Sequence, residues 1–366
     1  MTNTPKTKVV FVIFLHFIAV VIALVLGELF VRFTSEYHTP STIKKQSLDY
    51  SPSLFARSVF PLKEQRIEER GYVINSRGYR GKEFAELKSD GVIRVIVYGG
   101  SAVFDQNVTD GYDWPSRIES NLKGMGIERV EVINAGIPAH SSVDSVGKLF
   151  TEGHVFQPDY VILYNAWNDI KHFSIDTPLL RKMRPYNKSK DFRVNYQGAL
   201  DRMLSETSQL YVRLRTRYFS WKYEVGLEGV VVAKENNQQI TEKGLNQYKL
   251  NIEIFTDLAR NINATPILIT QARLVTQNST EEETKHFGYK YHNMDHLTIV
   301  DAFRKSDDII FSVAESKNVE LVDASATMTG NPDYFTDAIH LTNEGSIQLS
   351  EIVAEHLAVL VKGNSE

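Results

Sequence analysis

The residues best suited to chemistry are a serine, an asparagine and an aspartate–histidine pair, set far apart along the chain. Ser101 ends the glycine pair of V-I-R-V-I-V-Y-G-G-S-A-V-F-D-Q, Val92 to Gln106. An apolar run leads straight into a hydroxyl with no bulk before it. Asn134-Ala135-Gly136 closes a second apolar run, and Asn168-Asp169 follows a third, Y-V-I-L-Y at Tyr160 to Tyr164. Asp337 and His340 lie just ahead of the last helical stretch. These types suit acyl transfer. Ser101 attacks a carbonyl once a base removes its proton. His340 is the natural base, and Asp337 fixes its ring and tautomer. Gly99 and Gly100 permit the sharp turn and leave space for substrate. The backbone N–H groups of Ser101 and Gly136 and the Asn168 amide are candidate oxyanion donors, and one such donor is typically worth about 3 kcal/mol in the transition state. Taken singly, each cluster also has an ordinary structural reading. Gly-Gly-Ser after a strand makes turns and caps, Asp-x-x-His makes a cap with a surface histidine, and Asn-Asp caps helices. Their order and their places at strand ends favour the chemical reading.

Those side chains need a scaffold that brings strand ends together. Ile93 to Val97 reads as a buried strand, Trp114 to Leu122 as a helix capped by Asp113, and Val130 to Ile133 as a second strand. Ser142 to Glu152 is helical and Tyr160 to Tyr164 is a third strand. Strand–helix alternation at this spacing predicts an α/β fold, a three-layer α/β/α arrangement around a central parallel sheet. Pro266 to Thr270 and Val319 to Val322 supply two more strands. Helices are expected at Thr241 to Ile262, Ile299 to Glu315 and Asn343 to Val361. The regularity breaks twice, at about 171–240 and 274–296, which read as insertions. The first holds one expected helix near Ala199 to Tyr218. In an open parallel sheet ligands bind beyond the carboxyl ends of the strands, where the polar clusters fall.

At this point the residues carry a resemblance. The set resembles the SGNH hydrolase superfamily, also called the GDSL esterase/lipase family, over roughly Val92 to Val361. G-G-S-A-V-F falls on the family's nucleophile block, N-A-G on its second block, A-W-N-D on its third and Asp337 to His340 on its last. The resemblance implies Ser101 as nucleophile, Gly136 and Asn168 as oxyanion donors, His340 as base and Asp337 as its partner. It implies an acyl-serine ester hydrolase that needs no metal and no organic cofactor. Two positions depart from the pattern. The family's usual aspartate before the serine is Gly100 here, and the first glycine of the third block is Ala166. Gly100, Ala166 and Trp167 are expected to border the pocket, and Trp167 serves core packing equally well. A membrane-anchored subgroup carries a piece similar to N-S-R-G-Y-R-G at Asn75 to Gly81, a turn-rich segment expected to brace the domain or line its mouth.

Val9 to Val31 is a nearly continuous apolar run of 23 residues. At helical rise it spans about 34 Å, enough to cross a hydrocarbon core. It reads as an uncleaved single-pass anchor, since the apolar run exceeds that of a signal peptide and no small-x-small site is clear. Residues 1–8 are then a cytoplasmic tail, 9–31 the transmembrane helix, 32–90 a juxtamembrane region and 91–362 the hydrolase-like domain, placed outside the cytoplasm because a short basic tail before a first span stays inside. His16 has no partner within the span and reads as tolerated there.

Composition excludes other classes. The formal net charge of -4 gives no basic face for nucleic acid. There is no cysteine, so disulfides, thiolate zinc sites and a cysteine nucleophile are excluded. His140, Asp144, His172, His286, His292, Asp295 and His296 raise the question of a metal. The run H-N-M-D-H lacks the glutamate of H-E-x-x-H, and a polar lid is the better account. Tyr289 and Tyr291, beside Lys290, suit stacking on a sugar ring or a plain surface loop. The basic aromatic stretch Lys182 to Arg217 suits lipid head groups, an anionic glycan, a partner, or a solvated cap over the sheet. The leading expectation is a membrane-tethered serine esterase acting on an ester or an acylated envelope carbohydrate. A lipase, a thioesterase, an O-acyltransferase using the same serine and a non-catalytic envelope scaffold are the alternatives.

Overall fold

The computed structural model describes residues 5–34, 49–51, 58–60, 65–67, 72–109, 111–174, 196–222, 239–285 and 287–363. Residues 35–48, 52–57, 61–64 and 68–71 of the expected juxtamembrane region, the first part of the basic aromatic stretch (182–195) and His286 lie outside the described residues.

The chain divides into two units, residues 1–48 with 185–232, and residues 49–184 with 233–366. The sheet belongs to the second. Its short strands β1 (Asp49–Ser51) and β2 (Ser58–Phe60) pair antiparallel, as do β3 (Gln65–Ile67) and β4 (Tyr72–Ile74). Five parallel strands follow: β5 (Ile93–Gly99), β6 (Val130–Asn134), β7 (Tyr160–Tyr164), β8 (Thr265–Ile269) and β9 (Glu320–Val322), in the spatial order β6-β5-β7-β8-β9. Val95 to Tyr98 and Val161 to Leu163 are fully buried. Runs this apolar are required of strands covered on both faces.

One face carries α3 (Trp114–Gly124) against α13 (Asn343–Gly363). The other carries α4 (Ser142–Phe156), α8 (Glu242–Asn261) and α11 (His296–Lys317), packed side by side. The chain steps from β5 to β6 in one direction and then crosses to β7 on the far side of β5. Right-handed crossovers put the two connecting helices on opposite faces when the direction reverses. That reversal opens a crevice at the carboxyl ends of β5 and β7, the place where such sheets bind ligands. Two short helices start there, α2 (Ser101–Phe104) after β5 and α5 (Trp167–Phe173) after β7.

The second insertion contains α9 (Glu281–Thr284) and α10 (Tyr289–His292), and α12 (Ala324–Met328) follows β9. The first unit contains α1 (Pro5–Thr34), α6 (Ala199–Thr207) and α7 (Gln209–Lys222). The single helix expected near Ala199 to Tyr218 is therefore broken at Ser208. The cause is a carboxylate distant in sequence. Glu28 of α1 accepts from the Ser208 hydroxyl at 2.7 Å and from the Gln209 and Leu210 N–H groups at 2.9 Å each, capping a new helix start. Among the described residues, one helix is long and apolar enough to cross a membrane, Val9–Thr34 within α1.

Candidate active site

Parallel register assembles half of the site. Gly99 pairs with Tyr164 and Val97 with Asn134, so the segments leaving β5, β6 and β7 emerge at one edge. Two glycines make the emergence possible. A Cβ on Gly99 would lie 2.3 Å from Val103 Cγ2 and 2.5 Å from the Tyr164 carbonyl oxygen. A Cβ on Gly100 would lie 2.4 Å from Asn168 Nδ2 and 2.8 Å from the His140 carbonyl oxygen. Asn168 occupies the volume that any side chain at position 100 would need.

The histidine arrives on a tight loop. Phe335 and Leu341 form an isolated antiparallel bridge, and Thr336 N–H donates to the His340 carbonyl at 2.8 Å. Inside that loop Asp337 Oδ1 accepts from the Ile339 and His340 N–H groups, each at 3.0 Å. Its other oxygen, Oδ2, lies 2.6 Å from His340 Nδ1, and His340 Nε2 lies 2.7 Å from Ser101 Oγ. With Nδ1–H donated to the carboxylate, Nε2 is left as the acceptor for the serine hydroxyl. Burial alone would raise the Asp337 carboxyl. The hydrogen bonds from the His340 ring and the two backbone N–H groups outweigh it and hold the carboxyl below its ordinary value. Gln106 Nε2 lies 3.3 Å from His340 Nε2, on the quoted strand-to-helix stretch but with nothing in its spacing to announce it.

Asn168 is held from both ends. Its Nδ2 donates to the His140 carbonyl at 2.8 Å, and its Oδ1 accepts from the Tyr291 hydroxyl at 2.8 Å. Lys171 Nζ donates to that same hydroxyl at 2.6 Å. The Tyr291 ring lies parallel to Trp167, with centroids 6.3 Å apart. Asp169 accepts from the Ser142 N–H and hydroxyl at the start of α4. A small pocket results, bordered by Gly100, Ser101, Ala166, Trp167, Asn168 and Gln271 among others. Trp167 answers both sequence readings at once: it borders the pocket, and it also packs on Phe303 in the core.

Gly136 departs from expectation. Its N–H already donates to Asn134 Oδ1 at 3.0 Å, and a Cβ there would lie 2.3 Å from the Phe104 backbone nitrogen. It packs behind α2, with its hydrogen committed, so this geometry leaves the N–H unavailable as an oxyanion donor. Asn134 does more than end a strand. Its Nδ2 donates to the Val103 carbonyl and to Asp113 Oδ1, each at 3.0 Å.

The turn-rich segment Asn75 to Gly81 explains itself here. α2 has only four residues and stops at Asp105, whose φ is 59°. Its last carbonyls have no helical partners. Arg80, buried, supplies them: Nη1 donates to the carbonyls of Phe104 and Asp105, and Nη2 to that of Val108. Arg80 Nε lies 3.9 Å from Asp113 Oδ2, both side chains fully buried. The guanidinium also covers the Tyr72 ring, 4.9 Å from its centroid. The segment therefore braces the nucleophile helix from beneath. Beside it the Asp105 carboxyl is buried and pushed up to about 7, because burial outweighs the hydrogen bonds from Ser346 and the Trp114 N–H.

Four of the remaining sequence candidates have local roles. Asp144 accepts from the Ser141 N–H and hydroxyl in a capping box at the head of α4. Asp295 caps α11 by accepting from Thr298 N–H at 2.7 Å. His296 bonds the Tyr289 hydroxyl and the Thr276 carbonyl, and His292 is buried edge-on against Trp167 at 4.1 Å.

No protein-family model matches the sequence, and comparison with curated proteins finds no significant match. Solved structures do align with it. A lipase/acylhydrolase from Enterococcus faecalis is 15% identical with a TM-score of 0.44, over 73% of this chain and 96% of that one. A catalytic mutant of an acetylxylan esterase from Geobacillus stearothermophilus is 11% identical with a TM-score of 0.43, over 74% and 95%. An acetyl xylan esterase is 13% identical with a TM-score of 0.42, over 72% and 98%. Likeness at that level is weak, and the weight falls on this chain's own residues. Of those behind the resemblance to the SGNH hydrolases, the structure sets Ser101 and Asn168 at one pocket, joins His340 to Ser101 and Asp337 to His340 by hydrogen bonds, and directs the Gly136 N–H to Asn134.

Proposed function

We propose that this chain is a serine esterase of the SGNH type, anchored by α1, that hydrolyses esters through an acyl-serine intermediate. The observation that carries the reading is the unbroken relay from Asp337 through His340 to Ser101 Oγ, with both links under 2.8 Å. His340 Nε2 takes the Ser101 proton as Oγ bonds to the ester carbonyl carbon. The carbonyl oxygen becomes an oxyanion facing the Ser101 N–H and the Asn168 amide. His340 returns the proton to the departing alcohol as the carbon–oxygen bond breaks, and acyl-serine remains. Water then attacks the acyl carbon, giving one proton to His340, which passes it back to Ser101 as the carboxylic acid leaves. Asn168 suits the donor role because an amide nitrogen carries two hydrogens and the His140 carbonyl takes one.

The pocket beside Ser101 is small and is lined by Trp167, Gln271 and Ile339 among others. That supports a short acyl group such as acetyl. An acetylated carbohydrate of the cell envelope is our preferred substrate, reached by a domain outside the cytoplasm. The reading is tested with the purified full chain in detergent on p-nitrophenyl acetate, butyrate and octanoate. We expect kcat/KM to fall as the acyl chain lengthens and to vanish in Ser101→Ala. A rate that rises with chain length overturns the short-acyl reading. Protease added to intact spheroplasts is expected to remove the domain, and protection until lysis reverses the topology.

A further inference from the structure

We infer that α7 lies in the headgroup layer of the membrane that α1 crosses, with one face reading an anionic phospholipid surface. The inference rests on the proposed anchoring role of α1. From Val9 to Glu28 the helix rises about 29 Å, close to the thickness of a hydrocarbon core. Glu28 therefore stands at the boundary, and it is there that the start of α7 is tied. Three clamps fix it: the Glu28 carboxylate on the Ser208, Gln209 and Leu210 donors, Arg32 Nη2 on the Thr207 carbonyl at 2.9 Å, and the close seat of Leu210 on Gly27. A Cβ at Gly27 would come within 3.1 Å of Leu210 Cδ2, so the glycine lets the two helices approach.

The sequence of α7 is QLYVRLRTRYFSWK. Its exposed residues are Arg213, Leu214, Arg217, Tyr218, Trp221 and Lys222, which recur in adjacent pairs four apart and so share one face. Leu214, Tyr218 and Trp221 are 56%, 50% and 77% exposed. Inward, Arg215 is instead spent on Asp201, with Nε 2.5 Å from Oδ1. A face that mixes arginines with a tryptophan and a tyrosine is costly in water and suited to an interface, where rings enter the acyl boundary and cations meet phosphate. Charge sign and tethering at the boundary select an anionic bilayer over a soluble partner.

The test uses the full chain reconstituted in vesicles whose acyl chains carry bromine, a contact quencher of tryptophan. Trp221 is exposed, while Trp114 and Trp167 are buried in the sheet unit. Bromine near the headgroup end is expected to quench more than bromine near the chain end. Trp221→Phe is expected to lose that difference, and adding phosphatidylglycerol to phosphatidylcholine is expected to deepen the quenching. Protein that floats with the vesicles yet is unquenched at either depth overturns the inference and leaves the anchor standing. Protein that does not float overturns both. Quenching that is equal with and without phosphatidylglycerol overturns the anionic preference.

Discussion

Gly100→Ala isolates the space on which the site depends. The new Cβ would stand 2.4 Å from Asn168 Nδ2, 1.0 Å short of the 3.4 Å at which ordinary contact begins. The amide must withdraw, and with it the side-chain donor proposed for the oxyanion. Loss of one such donor costs about 3 kcal/mol, or roughly 10²–10³ in kcat. Asn168→Ala is expected to cost a similar factor, since it removes the same amide. Because both changes act on one group, they must not add. In Asn168→Ala the colliding amide is gone and only the His140 carbonyl oxygen, 2.8 Å from the new Cβ, still has to shift, so Gly100→Ala is expected to cost clearly less in that background than in wild type. The cycle then shows a coupling of about 2–3 kcal/mol. The assay is the rate of p-nitrophenyl acetate hydrolysis together with the second-order rate of fluorophosphonate labelling, which needs no knowledge of the natural substrate. Thermal unfolding checks that each variant is folded. A Gly100→Ala enzyme at wild-type rate, or a double variant whose losses multiply, refutes the claim that Asn168 fills this space for catalysis.

Three further outcomes are expected. Tyr291→Phe removes the hydrogen bond to Asn168 Oδ1 and is expected to lower kcat by roughly tenfold, about 1.4 kcal/mol, with KM little changed and no added loss beside Asn168→Ala; an unchanged kcat removes Tyr291 as a positioning residue. Arg80→Met strands the carbonyls of Phe104, Asp105 and Val108 and removes the cation beside the buried Asp113 carboxylate, and urea unfolding is expected to report a loss of roughly 3–5 kcal/mol. Asp105 is pushed up to about 7 from 3.8, so between those values the folded chain holds a proton that the unfolded chain has released, and stability falls as pH rises through that window. The difference corresponds to about 4 kcal/mol at most. Asp105→Asn is expected to gain on wild type from pH 4 to about pH 7 in urea titrations and to level off above it, and a gap that does not change with pH contradicts the assignment.

The sequence exposed the parts of the site that are set by local pattern. Apolar runs located all five parallel strands, and polar residues at their ends marked the rim, because a parallel sheet delivers strand ends to one edge. Asp337 and His340 were readable because the pair is local, three residues apart in one loop. What stayed hidden depends on partners remote in sequence. Nothing near Gly136 says that Asn134 takes its N–H, since a glycine after an asparagine has the same spelling whichever way its hydrogen points. Asn75 to Gly81 was recognisable as a turn, but the destination of the Arg80 guanidinium is a helix end that begins twenty residues later. The break at Ser208 is imposed by Glu28, far upstream, on a stretch whose own periodicity continues. Tyr291 was noticed for its ring, whereas its hydroxyl makes the contact with the site.

The most direct measurement is covalent labelling of the full chain with a fluorophosphonate, followed by peptide mass spectrometry. The adduct is expected on Ser101 alone, absent in Ser101→Ala and slowed by roughly 10³-fold or more in His340→Ala. An adduct that persists in Ser101→Ala, or a His340→Ala chain that labels at the wild-type rate, contradicts a relay that runs from Asp337 through His340 to that hydroxyl.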